Sequence, residues 1–313
     1  MIEVRGLSKS FDLDGSSFAL QDVSFEAERG AIFGLLGIEG AGKTTTLRIL
    51  ATLIAPGKGA VRVGGYDVVT EPDRVKGAIG YMPENSPVEG GLTVTKQLNL
   101  WGSVDGLPRA ERRTRVSDLV ELVGLAEVAD TLVLECKAGQ LRELALAQAL
   151  LSDPDILLAD EPMAALSLSE KRAMREVLLG LQKEGKTILL TSANLEDVAP
   201  ISTDVLLLDL GRPTLSYRID RFLGAIGEGR QARVFVEADT IPSSTLSALK
   251  KLPDVVDLRQ TDVALIAFVK PGTDAVAEIE EVLTEGKVEV KRIKVAEIPL
   301  TDVFRNLIRR ESA

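Results

Sequence analysis

The stretch GIEGAGKTT at residues 37–45 decides the fold of this chain. It matches the spacing G-x-x-x-x-G-K-[ST], in which glycines allow backbone N–H groups to turn towards phosphate oxygens. The preceding stretch, AIFGLLG, is apolar and predicts a buried strand, and the following stretch, TTTLRILATL, has a helical pattern. A strand, a glycine-rich loop and a helix in this order indicate a phosphate-binding loop. In such a loop Lys43 reaches the β- and γ-phosphates and Thr44 ligates Mg²⁺.

A second element, DILLADEP at residues 155–162, complements this loop. Its apolar strand ends in Asp160, which is placed to hold the Mg²⁺ shell, and Glu161 follows, placed to orient or deprotonate a water. Two adjacent carboxylates after a strand also occur in solvated turns. Because a phosphate-binding loop precedes them in the chain, the functional interpretation is favoured.

Charge and residue usage argue against several classes of function and exclude others. The net charge is −10, with 37 Lys and Arg against 47 Asp and Glu, whereas a nucleic-acid binder is expected to carry a basic face. Histidine is absent, which excludes imidazole metal sites and histidine-based acid–base catalysis. Cys136 is the single cysteine, so no intrachain disulfide can form. We expect no signal peptide and no membrane span, because no apolar run approaches roughly 18 residues.

The remaining pattern predicts an α/β fold. Short alternating segments in residues 2–30 predict antiparallel edge strands, and residues 93–128 have a helical pattern with a break at residues 106–108. Apolar strands are predicted at residues 31–37, 155–160, 187–191 and 204–210. Since these strands alternate with helices, a mostly parallel sheet is expected.

The composition changes near GAIGEGR at residues 224–230, which predicts a linker. We therefore expect two domains, residues 1–223 and residues 231–313. The second has the order β-α-β-β-α-β of a ferredoxin-like α+β domain, followed by a last helix at residues 300–310.

Several motifs over residues 2–220 resemble the ATP-binding subunit of ABC transporters, of the drug, antibiotic and polysaccharide exporter type. They are, in order, LSKSF, GIEGAGKTT, IGYMPE, GLTVTKQL, GLPRAERR, ELVGLAEVAD, GQLRELALAQALLSDPDILLADEP and TSANLEDV. The resemblance implies a P-loop NTPase domain with an antiparallel β edge subdomain and a helical subdomain. The end of the chain, IPLTDVFRNL, is similar to an accessory domain found in that subgroup.

The resemblance also implies a set of nucleotide-binding residues. Phe11 would stack on adenine, although an aromatic packed in the core under the edge sheet is the alternative. Glu161 would be the general base and Lys43 the main charge stabiliser, and Thr44, Glu84 and Asp160 would hold Mg²⁺. The other residues expected at ATP are Gly37, Gly40, Ala41, Gly42, Thr45, Lys137, Gly139 and Gln140.

This sequence departs from the family pattern in four loops. Glu84 stands where the family has a glutamine, and a carboxylate there can still ligate Mg²⁺. The signature turn Leu-Ser-Gly-Gly-Gln reads CKAGQ here, which places Lys137 at the serine position. Ser167 replaces an aspartate, and Ala193 replaces a histidine that contacts the γ-phosphate.

Lys137 has two interpretations. A cation is disfavoured at a helix N-terminus unless an anion is nearby, so the lysine either meets the γ-phosphate bound to a partner subunit or is a solvated side chain on an altered turn.

The function implied by the resemblance is an ATP-binding subunit that couples ATP binding to a membrane permease, with export as the output. It would form a homodimer, or a heterodimer with another ABC ATPase, at the cytoplasmic face of the cell membrane. The segment from Glu84 to Trp101 would transmit closure to the permease. Because the altered signature turn and Ala193 each remove a donor that the family has, we expect ATP binding with slow hydrolysis. The alternative is a nucleotide-gated regulatory or structural subunit with negligible ATPase activity.

Overall fold

The computed structural model describes residues 1–12, 18–219, 232–238, 241–260, 264–269, 275–286, 288 and 290–297. The chain divides into two compact units, Met1–Ile219 and Asp220–Ala313. The predicted linker at residues 224–230 and the predicted last helix at residues 300–310 lie outside the described residues.

The described elements follow the predicted α/β order. The strands are β1 (Ile2–Ser10), β2 (Phe18–Ala27), β3 (Ile32–Leu36), β4 (Lys58–Val63), β5 (Tyr66–Asp67), β6 (Ile79–Met82), β7 (Ile156–Ala159), β8 (Thr187–Ser192), β9 (Asp204–Asp209), β10 (Arg212–Arg218), β11 (Ala232–Ala238), β12 (Val255–Gln260), β13 (Ala264–Val269) and β14 (Val290–Glu297). The helices are α1 (Lys43–Leu50), α2 (Pro72–Ala78), α3 (Val94–Val104), α4 (Arg109–Leu122), α5 (Ala138–Ala149), α6 (Leu168–Lys183), α7 (Leu195–Val198), α8 (Ser243–Leu249) and α9 (Ala275–Glu285).

A six-stranded sheet in the order β10-β9-β3-β8-β7-β6 forms the centre of the first unit. The neighbours from β9 to β6 pair in parallel, and β10 alone pairs antiparallel with β9. Every residue of β3, β7 and β8 is buried. Continuous apolar runs are typical of parallel strands covered on both faces, which is why the sequence pattern predicts them.

An antiparallel sheet in the order β2-β1-β4-β5 lies against this layer, as predicted for the edge strands. The rings of Phe25 in β2 and Phe33 in β3 stack with centroids 4.9 Å apart. One buried core includes Ile2, Leu20 and Leu47 and joins the two sheets across α1. The start of α1 is thereby fixed between both sheets.

The helical pattern over residues 93–128 overestimates the length of the second helix. α4 ends at Leu122, and residues 126–128 form a single 3₁₀ turn. Gly124 adopts φ = +83°, a left-handed conformation that ends helices and that glycine adopts without a side-chain clash. Within the described part of the chain, every helix is too short or too polar to span a bilayer.

The second unit has the order β-α-β-β-α-β that its sequence predicts. Its four strands form an antiparallel sheet in the order β12-β13-β11-β14. Helices α8 and α9 contribute Leu249, Ile279 and Leu283 to a core of their own.

Candidate functional site

The loop between β3 and α1 is shaped by glycine. Gly42 precedes the first helical residue and adopts φ = +97°. A Cβ atom at Gly42 would lie 2.6 Å from the carbonyl oxygen of Ala19 in β2. At Gly37 a Cβ would lie 2.6 Å from the carbonyl oxygen of Leu208 in β9. Both sheets thus approach the loop so closely that these positions accept no side chain.

Lys43 lies inside the turn of this loop. Its side chain is 8% exposed, and Nζ donates hydrogen bonds to the carbonyls of Gly37 at 2.8 Å and Ile38 at 3.1 Å. Nζ also pairs with Oε1 of Glu161 at 3.2 Å. The cation is therefore held where the turn of the loop would receive an anion.

Asp160 and Glu161 follow β7 and are joined to the neighbouring strand β8. The hydroxyl of Thr191 donates to Oδ1 of Asp160 at 2.7 Å and accepts the backbone N–H of Glu161 at 2.8 Å. Glu161 adopts φ = +47°, an uncommon conformation that costs of order 1–3 kcal/mol and needs such support. Sequence reasoning missed Thr191, although a polar residue ending the apolar strand TILLT is a usable signal.

One open cavity of about 400 Å³ joins most of the predicted site residues. It is lined by Ala19, Glu39, Gly40, Ala41, Gly42, Lys43, Thr44, Thr45, Glu84, Glu161, Ala164 and Ala193. Gly37 and Asp160 do not belong to this lining. The carbonyl of Gly37 accepts a hydrogen bond from Lys43, and Asp160 directly precedes Glu161 in the chain. Glu39, Ala164 and Ala19 were not predicted as lining residues.

The donor set at this cavity fits a hard divalent cation. Asp160 is fully buried, and its Oδ2 accepts no hydrogen bond from any residue that the structure describes. An orphaned buried carboxylate oxygen is costly unless it meets a cation or water. Thr44 and Glu84 line the cavity, and Asp160 directly precedes its lining residue Glu161. The candidate ligands are therefore all oxygens, as Mg²⁺ prefers.

Arg142 is a functional candidate that the sequence did not reveal. It lies on α5, and its Nη1 donates to the backbone carbonyl of Glu84 at 2.5 Å. Burial lowers the pKa of the Arg142 guanidinium, whereas the carboxylates of Glu84, Glu161 and Asp160 act in the opposite direction. The guanidinium therefore lies near the acidic side of the cavity.

The signature-like residues do not line this cavity. Lys137 precedes α5, and its N–H donates to Oε1 of Gln140 at 2.8 Å. A Cβ at Gly139 would lie 2.1 Å from Oε1 of Glu170, so α5 and the start of α6 are in close contact here. Glu170 also bonds to Ser167, with the N–H of Ser167 donating to Oε2 at 2.7 Å.

Two side chains at or near the N-terminal half of α5 have raised pKa values. Burial, and then the nearby carboxylate of Glu170, raises the pKa of Glu143 to about 7. Burial, and then Glu135, raises the pKa of the Cys136 thiol, which is partly exposed. Neither group contacts the cavity of the phosphate-binding loop, because neither belongs to its lining.

Phe11 lies outside the cavity lining as well. Its side chain is 63% exposed, and Nζ of Lys9 lies 5.3 Å from the ring centroid. The alternative of a buried core aromatic is therefore wrong. An exposed aromatic at the end of β1 remains available for stacking.

Comparisons with known proteins show the family of this chain. The ABC transporter family model matches residues 20–164. The daunorubicin/doxorubicin resistance ATP-binding protein DrrA of Streptomyces peucetius is 29% identical, over 97% of this chain and 91% of that protein. The ABC transporter ATP-binding protein NatA of Bacillus subtilis is 36% identical, over 62% of this chain and 79% of that protein.

A solved structure, a dimeric bacterial ABC transporter cassette, shares the fold. The TM-score is 0.64 at 23% identity, covering 70% of this chain and 99% of the cassette. The resemblance drawn from the motifs is thus confirmed. On its loop geometry, its fold and its relatives, the chain belongs to the family of ABC transporter ATP-binding proteins.

Proposed function

We propose that this chain binds Mg²⁺ and ATP at the cavity between the phosphate-binding loop and Glu161, and that binding drives export by a membrane permease. The observation that carries the proposal is the position of Lys43, held inside the loop and 3.2 Å from Glu161. Export is favoured by the similarity to DrrA, a drug-resistance ATP-binding protein.

Each residue at the cavity has a role in this proposal. Backbone N–H groups of residues 40–45 and the ammonium of Lys43 bind the phosphates. Thr44, Glu84 and Asp160 would hold Mg²⁺, which neutralises phosphate charge when bound. Glu161 orients the attacking water and accepts its proton. Thr191 holds Asp160 and Glu161 in place, because its hydroxyl forms hydrogen bonds with both residues.

We propose that two such subunits act together, because Lys137, Gly139 and Gln140 lie outside the chain's own cavity. In a dimer, like the cassette of the same fold, these residues would face nucleotide bound to the partner. The partner would be a second copy or another ABC ATPase.

The permease is proposed to dock beside the segment from Glu84 to Trp101, at the cytoplasmic face of the membrane. A cleft of about 690 Å³ lies there, lined in part by Pro83, Ser86, Trp101 and Gln148. Within the described residues, Trp101 Nε1 and Gln148 Nε2 are buried donors without an acceptor. Because both atoms are buried, a docking segment that offers acceptors would satisfy them only when this cleft opens. Residues 231–313 are proposed to form a separate accessory domain.

Hydrolysis is proposed to be slow. Ala193 lines the cavity with a methyl group where a hydrogen-bond donor would stabilise the transferring phosphate. Losing one such donor typically lowers the rate about 10²–10³-fold.

Calorimetric titration with Mg·ATP, coupled to phosphate release, tests the proposal. It is run on the chain alone and with its co-purified permease. We expect saturable binding that Lys43→Ala abolishes, and slow phosphate release. No heat of association at millimolar Mg·ATP would overturn the proposal. Phosphate release at the rate usual for the family, abolished by Glu161→Gln, would overturn slow hydrolysis alone.

A further inference from the structure

The loop after β6 carries Glu84 and forms few hydrogen bonds with the rest of the described chain. It leaves the parallel sheet at Met82, whose carbonyl accepts the N–H of Asp160 at 2.8 Å. The next hydrogen bond along the loop is at Glu89, whose N–H donates to Oε1 of Gln97 at 3.1 Å. Among the described residues, Arg142 is the one that hydrogen-bonds to residues 84–88. Within the described residues, one hydrogen bond thus ties the backbone of residues 84–88 to another element.

That contact joins the loop to a rigid element. Helix α5 is anchored by Leu144 and Leu146, which are both fully buried. The guanidinium of Arg142 is partly buried and remains charged in proteins. A hydrogen bond from a charged donor is stronger than a neutral one, so Arg142 links the carbonyl of Glu84 to α5.

We propose that Arg142 is a positioning residue for Glu84: its guanidinium ties the Glu84 loop to α5 and thereby holds the Glu84 carboxylate at the cavity. The inference rests on the proposed function, because the carboxylate is held for the magnesium complex of the nucleotide. A displacement of α5, whose N-terminus follows Lys137, is then transmitted directly to Glu84.

The cleft on the other side of the loop supplies a readout that needs no nucleotide. Trp101 is the single tryptophan of the chain, and it lines this cleft together with Pro83, Ser86 and Pro87. When the loop is released from α5, water and quenchers reach the indole more easily. Tryptophan fluorescence therefore reports the position of the loop.

The variants are Arg142→Ala, Arg142→Gln and Arg142→Lys. Arg175→Ala is the control, because Arg175 also donates to a backbone carbonyl, that of Glu196 at 3.0 Å, and does not line the cleft. It removes in addition an ion pair with Asp197, so it is the more disruptive change of the two. We expect Arg142→Ala and Arg142→Gln to shift Trp101 emission to the red and to increase acrylamide quenching. Arg142→Lys retains a charged donor and recovers most of the wild-type signal. Arg175→Ala leaves it unchanged.

Nucleotide binding gives the second readout. Arg142→Ala is expected to weaken Mg·ATP binding about tenfold, while ATP binding in EDTA changes less than about twofold, because Glu84 acts only through the metal. When Glu84 is already replaced by alanine, Arg142→Ala should cause no further loss of Mg·ATP affinity. If Arg142→Ala does not fold, the same affinities are measured on Arg142→Gln.

Unchanged Trp101 quenching in Arg142→Ala and Arg142→Gln would overturn the proposal. So would an equal loss of ATP affinity with and without Mg²⁺, since that pattern indicates general damage to the phosphate-binding loop. If the wild-type chain bound no nucleotide, the proposed function would fail, whereas the fluorescence result would still decide whether Arg142 fixes the loop.

Discussion

Oε1 of Glu161 lies 3.2 Å from Nζ of Lys43, so the proposed base and the proposed phosphate-binding cation are paired with each other. Both side chains are largely buried, at 17% and 8% exposure. An incoming phosphate must compete with this carboxylate for the ammonium.

The first prediction follows from this ion pair. Glu161→Gln removes the competing charge, so Mg·ATP affinity should rise about fivefold. Calorimetry measures the change. Glu39→Gln is the control, because Glu39 lines the same cavity without pairing to Lys43. Equal gains in both variants would show that net charge, and not release of Lys43, controls the affinity.

The second prediction concerns the methyl group of Ala193 at the cavity. Ala193→His should increase single-turnover phosphate release by about tenfold or more, since it adds a donor near the transferring phosphate. Ala193→Leu fills a similar volume without a donor and should give no gain. The chain has no other histidine, so one imidazole NMR signal, titrating near pH 6.5, reports the new side chain. A gain in the leucine variant as well would rule out the donor explanation.

The third prediction concerns Ser167, which stands where the family has an aspartate. Its hydroxyl accepts the N–H of Glu170 at 3.4 Å and so caps α6. Ser167→Ala should lower the free energy of unfolding by about 1 kcal/mol, whereas Ser167→Asp should be nearly neutral because both residues cap well. Urea denaturation measures both. Ser117→Ala, at an exposed position within α4, should not destabilise; if it did so equally, the loss would not be due to the cap.

The fourth prediction is a pH dependence set by Glu143. Its pKa is raised from 4.5 to about 7 by burial and by Glu170, so between these values the folded chain binds more protons than the unfolded chain. This group therefore lowers stability as pH rises from 4.5 to 7, and the full penalty is present above pH 7.

Glu143→Gln should remove that part of the slope and be more stable than the wild-type chain above pH 7. Thermal unfolding from pH 4.5 to 8 measures it, with Glu111→Gln at an exposed position of α4 as the control. Parallel curves for wild type and Glu143→Gln would contradict the assignment.

The sequence predicts those parts of the molecule that local pattern determines. Residues 37–45 and the apolar strands β3 and β7 are identifiable because the phosphate-binding loop needs glycine and lysine at fixed spacing, and strands buried on both faces are continuously apolar. The length of α4 was overestimated, because a helical pattern does not reveal that Gly124 takes a left-handed conformation.

Contacts between distant segments could not be predicted. Thr191 contacts Asp160 because β7 and β8 pair in parallel with Ala159 opposite Leu190. The pairing register of two strands cannot be predicted from a single sequence. Arg142 reaches Glu84 across 58 residues of chain. The residues predicted to bind a partner's nucleotide stay a prediction, since one chain contains only half of such a site.

Cys136, next to Lys137 and free within the described chain, gives this protein a built-in reporter. As the single thiol, it can take one spin label or fluorophore without any engineered substitution. Its raised pKa requires an alkaline labelling buffer, since only the thiolate reacts. In a symmetric pair, distance measurements between the two labels would follow the approach of one subunit to the other as nucleotide is added.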